Sequence, residues 1–106
     1  MKIAFRTKRL RKICEKQLFA EESIGIESAA YLRARLEDIN SATCLMELIA
    51  GTPQELENGV IQVRIGKKHF LQLMSNHAKK PLLKNKKLDW DRVKRIQILE
   101  IGEFSA

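Results

Sequence analysis

Apolar and polar positions alternate over Lys2–Arg6, with Ile3 and Phe5 on one side and Lys2, Ala4 and Arg6 on the other, which predicts a short half-buried strand. From Thr7 the period changes. Leu10, Ile13, Cys14 and Leu18 recur at helical spacing with Arg and Lys between them, and Thr7 is placed to cap that helix. Glu21-Glu22-Ser23 reads as a turn and cap into a second helix, whose apolar stripe is Ala29, Leu32, Leu36 and Ile39. Thr43–Ala50 reads as a short apolar helical turn, with Leu45, Leu48 and Ile49 inward, stopped by Gly51 and Pro53. Gln54–Gly59 reads as a polar loop. Val60–Ile65 alternates as a strand, Gly66-Lys67-Lys68 makes a tight turn, and His69–Met74 returns as its antiparallel partner. Asn76–Lys87, with Pro81 inside it, reads as a basic loop. Asp89–Arg95 is polar around Trp90 and suits a single helical turn, with the indole plugging the core beneath the last strand. Ile96–Ile101, apolar apart from Gln97 and Glu100, then predicts a mostly buried strand.

This order predicts a single α+β domain over residues 1–106: a small antiparallel sheet with an N-terminal two-helix hairpin packed on one face. The length suits one modest core. No run of about 18 apolar residues exists to span a membrane. Charges follow Met1 too soon for a signal peptide, so a cytoplasmic protein without membrane contact is expected. Cys14 and Cys44 have no metal-ligand spacing and read as reduced thiols facing the core; neither a metal nor a cofactor is expected.

Charge changes the picture. The net charge is +7, but it is unevenly spread: residues 1–16 carry +6, residues 17–63 carry −6, and residues 64–95 carry +9. Two basic segments that a sheet can bring together attract a polyanion, and nucleic acid is the commonest in cytosol. The alternative is a solvated face that serves solubility.

Several segments resemble one family. The Asp89-Trp90 pair ahead of Ile96-Gln97-Ile98-Leu99-Glu100-Ile101 is similar to the closing element of HigB-like "killer protein" toxins of the RelE/ParE superfamily. Ile3 to Cys14 is similar to the family's first strand and helix. Ala30 to Leu36, followed by Ile39, Ala42 and Thr43, resembles its second helix, and Gln54-Glu55-Leu56 stands where a His-Glu-Leu type segment leads into the sheet.

The resemblance implies the toxin of a type II toxin–antitoxin pair. It would act as a ribosome-dependent endoribonuclease that cuts messenger RNA and inhibits translation. Its cognate antitoxin would be a small helix-turn-helix protein, bound in a hetero-oligomer. Metal-independent cleavage needs a base for the ribose 2′-hydroxyl, cations for the phosphorane and an acid for the departing 5′-oxygen. Three places depart from the family pattern: Glu57-Asn58-Gly59 in place of Lys-Gly, His69-Phe70 in place of an aromatic followed by Arg, and Phe104-Ser105 in place of Tyr-His. The substitutes are His69 as proton carrier, beside Arg64, Lys67 and Lys68 converging on one sheet edge as a phosphate site. A satisfied, partly buried histidine is the competing account of His69. Lys79, Lys80, Lys84, Lys86, Lys87 and Arg92 suit contact with an RNA backbone. The alternatives are a gyrase-type toxin acting on a protein target, or an inert homologue that only binds its antitoxin.

Overall fold

The structure, a computed structural model, describes residues 1–44 and 53–104. The chain opens with strand β1 (Lys2–Phe5), then runs through helices α1 (Lys8–Glu15), α2 (Gln17–Ile24) and α3 (Ile26–Ser41). Strands β2 (Gln54–Glu55), β3 (Ile61–Ile65), β4 (His69–Ser75) and β5 (Arg95–Glu103) complete it, with a 3-10 turn at Trp90–Arg92. The helical turn expected over Thr43–Ala50, including Leu45, Leu48 and Ile49, falls largely outside the described residues.

Three helices replace the expected hairpin of two. Thr7 caps α1 as expected, its hydroxyl accepting from the Leu10 amide at 3.1 Å. The helix then breaks at Lys16, which is extended (φ −117°, ψ 108°) though it is neither Gly nor Pro. That single residue swings Leu18 out of the stripe to 76% exposure and brings Ala20 into the core instead. Glu21-Glu22-Ser23 is no turn; it lies inside α2. The real joint is Gly25, at φ 89° and ψ 161°, a conformation that glycine alone adopts without strain. α3 buries Ala29, Leu32 and Ile39, and its last carbonyls receive the Met1 nitrogen: Ile39 O at 3.1 Å, Asn40 O at 3.2 Å and Ala42 O at 2.7 Å. A cation there opposes the negative end of the helix dipole.

The sheet is mixed rather than purely antiparallel. Its order is β1-β5-β4-β3-β2, and β1 runs parallel to β5 with Lys2 opposite Arg95 and Phe5 opposite Ile98. The remaining pairs are antiparallel. The parallel pair follows from the helices, which carry the chain from β1 back across one face before the other strands form. The expected polar loop at Gln54–Gly59 is a small hairpin. Asn58 and Gly59 both have positive φ (62° and 73°) and turn β2 into β3, a conformation that Asn-Gly pairs favour.

The core lies between the helices and one sheet face. Ile61, Val63 and Ile65 of β3, Leu71 and Leu73 of β4, and Ile96 and Ile98 of β5 meet Leu10, Ile13, Leu32 and Ile39. The β4–β5 register shifts at Gln72/Leu73, where Leu73 faces Ile98 and Gln72 faces Glu100. Leu99 is therefore the extra residue of a bulge, which restores Ile101 to the core side opposite Leu71. The other face presents Gln62, Arg64, Phe70, Gln72, Met74 and Gln97. No helix among the described residues packs on it.

Candidate nucleic-acid interface

The β3–β4 hairpin brings the expected catalytic residues to one end of the sheet but divides them between its faces. Alternation fixes this. Ile65 pairs with His69 and Arg64 with Phe70, so His69 shares the helix-covered face with Ile65 while Arg64 stands on the open face. The expected convergence of Arg64 with Lys67, Lys68 and His69 on one edge therefore splits in two. Lys67 and Lys68 occupy the turn between, both exposed.

On the helix side, the Nδ1 of His69 lies 2.7 Å from the Ser28 hydroxyl oxygen. Ser28, third residue of α3, is 5% exposed. With Nδ1 protonated the hydroxyl accepts, and the Nε2 lone pair is left available; no partner meets Nε2 among the described residues. Tyr31, one turn along α3, is 46% exposed and lies over the hairpin turn. Sequence periodicity gave no hint of Ser28 or Tyr31, because both sit among apolar helix positions whose partners only the fold reveals.

On the open face, the Arg64 guanidinium lies 4.6 Å from the centroid of the Phe104 ring. Phe104 in turn meets Phe70 edge to face, with centroids 5.1 Å apart at 60°, and its amide donates to the Lys68 carbonyl at 2.7 Å. Phe70 lies directly over Gly102: a Cβ there would stand 2.3 Å from the Phe70 Cζ. The result is a layered support of Gly102, Phe70, Phe104 and Arg64, with a cation on top. A guanidinium over a ring face keeps its donors for an anion. Phe104 carries no hydroxyl, so it supplies shape and not a proton.

The basic loop is more ordered than its composition implies. Leu82 and Leu88 form a bridge, the Leu83 amide donates to the Lys87 carbonyl at 2.8 Å, and Lys86 takes a positive φ of 68° at the turn. Arg92, expected to contact RNA, also holds the loop. It pairs with Asp89 at 2.7 Å and donates to the Leu82 carbonyl at 2.7 Å, bracing the loop. His77 Nε2 accepts from the amides of Lys94 at 2.9 Å and Arg95 at 3.3 Å, which ties the loop to the start of β5. Trp90 packs against the core, as its place in the sequence suggests, and its indole N–H donates to Glu55 at 3.1 Å. Lys79, Lys80, Lys84, Lys86 and Lys87 are all exposed, and Lys80, Lys86 and Lys87 line one cleft.

Burial, reinforced by the neighbouring Glu15 carboxylate, pushes the Cys14 thiol up to about 12, so it stays protonated at neutral pH. Among the described residues no three His, Cys, Asp or Glu side chains group together as metal ligands. No family model matches the chain, and no curated protein or solved structure gives a match.

Proposed function

We propose that this protein is the toxin of a HigB-like toxin–antitoxin pair and that it inhibits translation by cutting messenger RNA on the ribosome, in the cytoplasm. The observation that carries this is the cationic end of the sheet: Arg64 set over the Phe104 ring on an uncovered face, with Lys67 and Lys68 exposed beside it. Such a group neutralises the phosphorane formed when a ribose 2′-hydroxyl attacks the adjacent phosphate in line. The new O–P bond forms as the bond to the 5′-oxygen breaks, leaving a cyclic phosphate and a free 5′-hydroxyl. His69, oriented through Nδ1 by Ser28, is the proton carrier at the hairpin. Support for the family comes from the element order, with a strand, helices, a hairpin and a final strand. The proposed antitoxin is a small helix-turn-helix protein with acidic side chains at its contact.

A second function has a specific observation in its favour. His69 and Arg64 lie on opposite faces, which suits a toxin that binds its target without cutting RNA. Induced expression without an antitoxin, with RNA 5′ ends mapped soon after induction, separates the two. Cleavage gives new ends inside translated messages, lost in Arg64→Ala and in His69→Ala. Growth arrest without new ends favours the non-cutting toxin. Healthy growth with soluble protein and no cuts refutes both.

A further inference from the structure

At the far end of β4 from the hairpin tip, a cleft of about 460 Å³ opens between the Asn58-Gly59 turn and the 82–88 hairpin. Its size falls within the ~300–1,000 Å³ common for small-molecule sites. Two features of its lining point to one kind of ligand. Lys80, Lys86 and Lys87 border it, and no salt bridge occupies any of them among the described residues. Leu56, Met74, Leu82 and Leu88 give it apolar walls.

Cations, apolar walls and a single acid in one cleft do not suit a simple anion. Glu55 also lines it, one carboxylate oxygen engaged by the Trp90 indole and the other left to accept. A free phosphate is repelled by that acid, whereas an exocyclic amine is attracted. We infer that the cleft is a nucleotide subsite, holding one amino-bearing base against its apolar walls and the attached phosphate against Lys80, Lys86 and Lys87. This rests on the RNA-directed function proposed above and adds a place for a second part of the strand. β4 spans about 20 Å from His69 to Ser75 at ~3.3 Å per residue. An RNA bound at the hairpin tip could therefore place a second part of its strand about 20 Å away, in this cleft.

Equilibrium dialysis of the purified protein against radiolabelled nucleoside 5′-monophosphates tests it. AMP, CMP and GMP should bind saturably, UMP several-fold more weakly, and inorganic phosphate about tenfold more weakly than AMP, because it fills neither the walls nor the Glu55 contact. Lys80→Gln combined with Lys87→Gln should weaken AMP about tenfold. Lys67→Gln combined with Lys68→Gln should leave AMP binding unchanged. No saturable binding, equal binding of phosphate and AMP, or an unaffected Lys80/Lys87 variant of native circular dichroism would each overturn the subsite. A 2′-O-methyl RNA hexamer, which cannot be cut, distinguishes the two levels. Hexamer binding that depends on Lys67 and Lys68 but not on Lys80 and Lys87 sinks the cleft and spares the RNA-directed function. Nucleotide binding in the cleft without arrest or cleavage in cells keeps the cleft and sinks the toxin.

Discussion

Gly102→Ala is a one-methyl change that strikes the support beneath Arg64. The new Cβ would sit 2.3 Å, 2.7 Å and 3.0 Å from three atoms of the Phe70 ring, well inside van der Waals contact. The ring cannot simply tilt away, because its neighbour is Phe104 at 5.1 Å between centroids. Overpacking of this kind costs about 1–3 kcal/mol. Losing the edge-to-face contact adds about 0.5–1.5 kcal/mol. A destabilisation of about 2–4 kcal/mol is expected, read as a fall in the urea midpoint at unchanged slope. A double-mutant cycle isolates the cause: in a Phe70→Leu background, Gly102→Ala should cost less than ~1 kcal/mol, since the clashing ring is gone. A Gly102→Ala protein within ~0.5 kcal/mol of the parent, or an equal cost in both backgrounds, refutes the layered support.

The turn at Lys86 gives a test of opposite sign. Lys86→Gly should stabilise the fold by about 0.5–1 kcal/mol, because a lysine at φ 68° pays a left-handed penalty that glycine avoids; unchanged thermal unfolding would deny the strain. Cys14 ties stability to alkaline pH. Its thiol ionises near 9.0 when exposed but near 12 when folded, so above pH 9 the unfolded chain loses a proton that the native chain keeps. Stability should therefore fall between pH 9 and 12 more steeply than in Cys14→Ala, by up to about 1.4 kcal/mol per pH unit; parallel curves would refute the shift.

Much of the fold was legible because its elements obey simple periods. β1, the Thr7 cap, the β3–β4 hairpin and the Trp90 turn follow from alternation, capping chemistry and turn residues. Three features escaped for identifiable reasons. Leu10, Ile13, Cys14 and Leu18 keep one helical period through a break that neither Gly nor Pro announces at Lys16. Gly25 stood between Ile24 and Ile26 as a plain stop signal, but the acidic run before it offered a competing cap. The jump from Ile98 to Ile101 carries the phase change of a bulge, hidden because Leu99 keeps the run apolar. The candidate site was less legible. Strand alternation alone puts Arg64 and His69 on opposite faces, since they pair with neighbours of opposite parity across the turn. The Ser28–His69 and Glu55–Trp90 contacts join residues far apart in sequence, and no local pattern encodes such meetings.

The position of β5 has a kinetic consequence. Among the described strands the one made last lies second in the sheet, between β1 and β4, so Lys2–Phe5 waits for Arg95–Ile98 before it has a partner. At ~5–20 residues per second of synthesis, that wait lasts about 5–20 s. During it β4 offers an unpaired edge and the apolar faces of α1 and α3 lack half their cover. Closure over so long a span is slow, as pairing between distant segments generally is. Anything that recognises the unfinished sheet, whether a chaperone, a protease or a binding partner, has its opportunity before β5 arrives and loses it once the strand is in place.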